Sequence, residues 1–201
     1  MNPFLSVWLH PKQTARYVIE HKTIVYALIL FIIGYIASGF SGLMGTELYP
    51  DLSYVWLFLI VIIITPIFGI LMMFLTTGIT FLVGKLLKGS GSFWDIFKAC
   101  SLGSIPTIIT GPLYLLWMFV SPESFFNTNE IGAFAFIMTI ILIVNFIWSI
   151  VIVVATVAEA HQFSIIRSFI TLFIPAILLF ILIFGIIAII SIIIVVIFSS
   201  I

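Results

Sequence analysis

Long apolar runs alternate with short polar connections along this chain. Five runs contain no charged residue, and each is long enough as a helix, at about 1.5 Å per residue, to cross a hydrocarbon core roughly 30 Å thick. These runs are residues 23–42, 54–84, 99–120, 132–158 and 169–198. The pattern predicts an all-α fold, a polytopic membrane bundle of five transmembrane helices. The last run exceeds the core thickness, so a hairpin at Gly185, which would make six spans, stays open as an alternative.

The first 22 residues are the longest polar stretch. Phe4 and Trp8 share one helical face, and Pro11 suits the first turn of a second helix. Residues 1–22 are therefore predicted to form short amphipathic helices along the cytoplasmic interface. A solvated tail that only sets the orientation is the alternative.

The connection after the second run contains a glycine turn and a helix start. Gly89 and Gly91 interrupt the preceding helix, and Ser92 is followed three residues later by Asp95. This spacing is that of a capping box, in which a side chain and a backbone N–H are satisfied reciprocally. A new helix is predicted to begin at Phe93.

That new helix has an aromatic face. Phe93, Trp94 and Phe97 lie on one side, whereas Asp95 and Lys98 lie on the other. Such an amphipathic pattern is typical of a helix lying in the membrane interface.

Prolines interrupt two of the predicted spans. Pro66 predicts a kink in the second span, and Pro106 and Pro112, with Gly103 and Gly111, interrupt the third. Carbonyls left without helical partners must be buried among helices or hydrated. A simple kink is commoner than the broken helix of a transport site, but both readings stay open.

Small and polar residues inside the spans predict helix contacts. Gly34, Ser38 and Gly42 recur every four residues, a spacing that lets another helix approach closely. Asn145, with Ser149 one turn later, needs a polar partner in hydrocarbon, and an interhelical hydrogen bond is expected rather than a ligand contact. A groove is the alternative interpretation of the polar residues Thr76, Thr80, Thr107, Thr110, Asn145 and Ser149.

Charge sorts by connection and predicts the orientation. All seven Lys and Arg lie in residues 1–22, 85–98 and 159–167. The charged residues of the other two connections are all acidic, namely Glu47, Asp51, Glu123 and Glu130. The positive-inside rule then predicts a cytoplasmic N-terminus and, with five spans, an external C-terminus.

Composition narrows the function classes. The chain is 64% apolar and 7% charged, with a mean hydropathy of +1.43 and zero formal net charge, which disfavours nucleic acid as a partner. No span contains the charged residues that proton-coupled transporters use. No catalytic, cofactor-binding or metal-ligand spacing is present, so we expect no enzyme activity, no cofactor and no metal. Cys100, the single cysteine, is expected to be a packed thiol, with reversible acylation as the alternative.

Three stretches resemble the YIP-one family of membrane proteins, named for interaction with Ypt/Rab GTPases, in its bacterial branch. They read N-P-F-L-S-V-W-L-H-P-K-Q-T-A-R at the start, G-S-G-S-F-W-D-I-F-K-A-C-S-L-G-S-I-P from Gly89 to Pro106, and A-E-A-H-Q-F-S-I-I-R-S from Ala158 to Ser168. The resemblance implies five helices and a cytoplasmic N-terminus. Eukaryotic relatives look like factors for vesicle formation and organelle shape, but they carry a longer polar N-terminal region. The compact, Ile-rich chain suggests a bacterial inner-membrane protein.

These observations predict a non-enzymatic membrane organiser or an accessory subunit of a membrane complex. Its expected partners are the lipid bilayer and a membrane protein or a second copy of the chain. The candidate interaction residues are Gly89, Gly91, Ser92, Phe93, Trp94, Asp95 and Pro106. The candidate packing or groove residues are Gly34, Ser38, Gly42, Asn145 and Ser149. The alternative function is a passive transporter or lipid-moving protein with a groove near Pro106 and Asn145.

Overall fold

Every regular element in the described part of the chain is a helix. The computed structural model describes residues 1–46, 48–49, 51–127, 132–177, 180–181 and 184. Its helices are α1 (Pro3–Ser6), α2 (Pro11–His21), α3 (Ile24–Ser41), α4 (Tyr54–Leu59), α5 (Thr65–Leu86), α6 (Phe93–Ser101), α7 (Ser104–Val120), α8 (Pro122–Phe126), α9 (Ala133–His161) and α10 (Ile165–Ile177).

Four helical segments are long and apolar enough to cross a membrane. They are Ile24–Ser41, Tyr54–Leu86, Phe93–Val120 and Ala133–His161, and the shorter apolar helix α10 follows them. The prediction of an all-α membrane bundle is confirmed. Most of the fifth apolar run, including Gly185, lies outside the described residues, and so does the choice between one helix and a hairpin.

The second membrane segment is irregular just before its proline. A π-helical turn, Ile60–Ile64, joins α4 to α5. Pro66 has no N–H to donate to the carbonyl one turn earlier, which disfavours a regular α-helical ladder at this point. In this turn the Val61 carbonyl accepts from both the N–H and the hydroxyl of Thr65, the hydroxyl at 2.6 Å. The irregularity predicted at Pro66 thus takes the form of a widened turn.

The third segment is interrupted at only one of the places that the sequence suggested. It separates into α6 and α7 at Leu102 and Gly103, whereas α7 continues without a break through Gly111 and Pro112. Pro106 lies in the first turn of α7, where a backbone N–H has no helical acceptor to lose. The interruption predicted at Gly103 is therefore confirmed, whereas Gly111 and Pro112 do not break the helix.

Close approach of α3 and α7 forms the centre of the membrane bundle. A Cβ on Gly34 would come within 2.7 Å of the Ser104 Cβ, and one on Gly111 would come within 2.9 Å of the Ala37 Cβ. These small residues let the two backbones pack directly. Gly42, in contrast, is exposed at the end of α3 and contacts only its own chain neighbours.

The two parts of α9 differ in burial. Residues 133–151, about 28 Å of helix, expose most of their large apolar side chains, among them Ile143 and Phe146. From Ile152 to His161 every residue except Val153 is buried by protein. Only the first part has the surface of a helix in lipid, and the second part extends into a separate packed assembly.

Candidate functional site

The packed assembly around the end of α9 brings together distant parts of the chain. We call it the junction, and it consists of α1, α2, the connection 87–92, α6 and residues 152–161 of α9. Val7 and Val18 from the N-terminal helices are fully buried there, in one apolar cluster with Leu102 and Ile152. The first helices are therefore part of a protein core.

An ion pair fastens α2 to α9. Arg16 donates from Nε and Nη2 to Oε1 of Glu159, at 2.8 and 2.6 Å. The side chain of Glu159 is 10% exposed, whereas that of Arg16 is 64% exposed. The hydrogen bond and the negative charge of Glu159 raise the pKa of Arg16. A largely buried carboxylate thus depends on a cation from the N-terminal segment.

A second polar contact joins α6 to α2. The Lys98 ammonium donates to the carbonyl of Ile19 at 2.8 Å. Ile19 lies in the last turn of α2, where free carbonyls and the helix dipole favour a positive charge. Lys98 therefore stabilises the end of α2 and does not simply face water.

His161 is the largest fully buried polar side chain of the junction. It is 1% exposed, and its ring lies 4.9 Å from that of Phe163. A Cβ added to Gly84 or to Gly89 would overlap the imidazole. Neither ring nitrogen has a hydrogen-bond partner among the described residues. This role is not evident from the sequence, where the signal is only a histidine at a helix end with glycines elsewhere in the chain.

The glycine turn closes over the end of α9. Ser90 donates from its backbone N–H and its hydroxyl to the His161 carbonyl, at 3.0 and 3.2 Å. A Cβ on Gly91 would collide with the carbonyl of Ala160. Gly89 and Gly91 are thus required because the turn lies directly against α9.

The helix start predicted at Phe93 is confirmed. The Ser92 hydroxyl accepts from the Asp95 N–H at 3.2 Å, and Asp95 Oδ2 accepts from the Ser92 N–H at 3.0 Å. The reciprocal capping box is complete. Asp95 contributes by fixing where α6 begins.

The aromatic face of α6 packs mainly on protein. Phe97 is fully buried and its ring lies 5.2 Å from that of Phe31 in α3, while Trp94 at the edge is 44% exposed. Contacts with α2, α3, α5 and α9 surround the helix. The aromatic face that was expected to contact the membrane interface is thus largely covered by neighbouring helices.

Polar residues of the membrane spans meet in a cavity outside the junction. Its volume is about 380 Å³, and its lining is Ser38, Ser41, Thr107, Thr110, Tyr114, Leu142, Asn145, Phe146 and Ser149. Thr76 and Thr80 do not line it and bond to carbonyls of their own helix, at 2.7 and 2.8 Å. The interhelical hydrogen bond expected of Asn145 is made instead by Ser149, whose hydroxyl donates to the Gly103 carbonyl at 2.9 Å.

The junction contains most of the first two of the three stretches that carry the family resemblance, together with the start of the third. A sequence model of the Yip1 domain matches residues 5–189. The chain belongs to the Yip1-domain family. No match was found among curated proteins or among solved structures. Yip1-domain proteins are in general non-catalytic membrane proteins, and this member is accordingly a multi-pass membrane protein in contact with the lipid bilayer.

The charged side chains of the junction described above make contacts that join its helices to one another. In the part of the chain that the structure describes, no three His, Cys, Asp or Glu side chains converge as metal ligands. The oxygens of Asp95 serve the helix cap, and Oε1 of Glu159 serves Arg16. The Yip1 domain thus uses its charged groups here to hold helices together.

Proposed function

We propose that this Yip1-domain protein is a non-enzymatic membrane organiser or an accessory subunit of a membrane complex, and that the junction is the surface it offers to a partner. The observation that supports this is the joining of distant segments into one assembly, through Arg16–Glu159, Ser90–His161 and Lys98–Ile19. An assembly held in one arrangement loses little conformational entropy when it binds. Family membership does not favour the alternative of passive transport.

The outer face of the junction combines one aromatic anchor with polar groups. Trp94 is 44% exposed, and a polar hollow of about 250 Å³ beside α6 is lined by Arg16, Glu20, Asp95 and Gln162, among others. Exposed aromatic side chains and partly enclosed polar groups are both features of binding surfaces. A membrane protein or a second copy of the chain is the proposed partner.

The proposed setting is a bacterial inner membrane, with the junction and the N-terminus in the cytoplasm and the C-terminus outside. Six of the seven basic residues belong to the junction or to the adjoining ends of its helices, namely Lys12, Arg16, Lys22, Lys85, Lys88 and Lys98. The described loops at the opposite end carry Asp51 and Glu123 and no basic residue. This asymmetry supports the orientation through the positive-inside rule.

Affinity purification tests the partner role with two exposed tryptophans. Trp94→Ser alters the junction, and Trp56→Ser is the matched control, because Trp56 is 60% exposed at the opposite end of the bundle. After cross-linking in native membranes, wild type and Trp56→Ser should enrich the same partner, and Trp94→Ser should enrich several-fold less. Equal recovery with both variants, or a chain that always purifies alone, would contradict the proposal.

Labelling with a membrane-impermeant maleimide tests the orientation. In a Cys100→Ala background, Glu20→Cys should react only after the membrane is opened, and Glu123→Cys should react in intact spheroplasts. Both glutamates are exposed, so the bilayer alone decides reactivity. The reverse pattern would overturn the orientation and leave the partner role to its own test.

A further inference from the structure

The cavity of about 380 Å³ between α3, α7 and α9 lies beside the part of α9 whose large apolar side chains are exposed. Asn145, which lines it, is flanked by Val144 and Phe146, which are 58% and 66% exposed. Asn145 lies six residues before the end of the lipid-exposed part of α9 (residues 133–151), or about 9 Å along the helix. Since Phe146 also lines the cavity, the cavity borders the lipid.

Some polar groups of the cavity are satisfied by the protein and others are not. The Ser41 hydroxyl donates to the Ser38 carbonyl at 2.7 Å, and that of Thr110 donates to the Thr107 carbonyl at 3.0 Å. Among the described residues, the side chains of Asn145 and Thr107 have no hydrogen-bond partner. An amide and a hydroxyl without partners are costly in a hydrocarbon environment. They are therefore available to a ligand.

The lining also restricts the charge and the size of a ligand. No charged side chain is among the lining residues, so a charged group would enter without compensation. The volume lies within the range of small-molecule pockets, about 300–1,000 Å³. An uncharged molecule with hydrogen-bonding oxygens fits both restrictions.

We propose that this cavity binds the polar end of an uncharged lipid that carries a free hydroxyl and an ester carbonyl, of the diacylglycerol type. A lipid without a phosphate can place its polar end several ångströms below the interface, where Asn145 lies, whereas a phospholipid headgroup must stay hydrated. The Asn145 amide can donate to the carbonyl and accept from the hydroxyl, and Thr107 provides a second hydroxyl. This binding does not depend on the partner role of the junction.

Photolabelling of the full chain in phosphatidylcholine nanodiscs tests the proposal. The probe is a diacylglycerol with a diazirine near its ester group, and labelled peptides are identified by mass spectrometry. Asn145→Leu and the isosteric Thr107→Val change the cavity. Thr139→Val is the matched control, because Thr139 is exposed on α9 and its hydroxyl bonds to the Ala135 carbonyl at 2.8 Å.

Labelling should concentrate on α3, α7 and α9 around the cavity and should be competed by unlabelled diacylglycerol but not by phosphatidic acid. Asn145→Leu and Thr107→Val should each lower it about fivefold, the loss expected from one hydrogen bond, and Thr139→Val should leave it unchanged. Equal labelling in all variants, or equal competition by phosphatidic acid, would overturn the proposal. Thr107→Val decides the question if Asn145→Leu fails to fold.

Discussion

The two parts of α9 show how differently one helix is held along its length. Residues 133–151 present large apolar side chains outward, whereas residues 152–161 are covered by α2, α6 and the glycine turn. No charged residue lies between residues 133 and 158, so charge does not mark the boundary between the two parts, although Ile and Phe are common in the first and Ala and Val in the second. The two parts differ in what their side chains contact, which is lipid for the first part and protein for the second.

This difference changes what a side chain contributes to stability. Lipid chains are as apolar as leucine, so a lipid-facing side chain gains little from the folded state and its exact shape matters little. A side chain enclosed by protein fills a fixed space, and removing its atoms leaves a cavity. The junction should therefore be sensitive to small changes, and the lipid-facing surface should tolerate them.

The largest expected effect comes from the same substitution in the two parts of α9. Ile152→Ala should lower the free energy of unfolding by about 2–5 kcal/mol, because Ile152 is fully buried. Ile143→Ala, at a side chain that is 53% exposed, should change it by less than about 1 kcal/mol. Unfolding by SDS in mixed micelles measures both. Similar losses at the two positions would show that the parts of α9 are held alike.

Hydropathy predicted the membrane segments because a bilayer demands long apolar runs whatever their detailed sequence. The Ser92–Asp95 spacing predicted the start of α6, because a capping box is local in sequence. Hydropathy did not reveal that α9 extends beyond the lipid, since buried protein and lipid select the same apolar residues. Gly103 is one of four predicted interruptions of the third span, and the sequence does not show that only this one breaks the helix, because the prolines are the stronger local signal.

The next effect concerns the close packing of Gly84 and Gly89 against the His161 ring. Gly84→Ala should destabilise the protein by about 1–3 kcal/mol, because the new methyl group overlaps a buried ring. Gly78→Ala is the control on the same helix, where an added Cβ meets nothing within 4 Å. That change should be neutral or stabilising by up to about 1 kcal/mol, as expected from helix propensity. Thermal unfolding in detergent compares the two variants, and equal changes in their thermal midpoints would mean that the space beside the His161 ring admits a methyl group.

The candidate site was less predictable than the fold. Gly89, Gly91, Ser92 and Asp95 were identified as one motif, but the sequence does not state what they pack against. Their partner, the end of α9, lies about 70 residues away in the chain, as the Ser90–His161 hydrogen bond illustrates. Contacts at such separations follow from packing geometry and leave no periodic signal in one sequence.

The smallest expected effect sharpens the role of the Arg16–Glu159 pair. Because Glu159 raises the pKa of Arg16, the pair contributes its full stability below the unfolded-state pKa and loses it only as pH rises through the folded-state pKa. For arginine this range lies above the pH of ordinary experiments, so wild type should keep the pair at pH 11. In Arg16→Lys the unfolded-state pKa is about 10.4, and the contribution should begin to disappear there.

The measurement is the difference in thermal midpoint between wild type and Arg16→Lys at pH 7.5 and at pH 11. All the other ionisable groups are the same in both proteins, so their effect cancels in the difference. The gap should widen at pH 11 by a few degrees at most, since Arg16 is largely exposed and exposed pairs contribute little. A gap that stays constant would mean that α2 is held to α9 by apolar packing of Val18 and its neighbours, with the ion pair setting only the register of the contact.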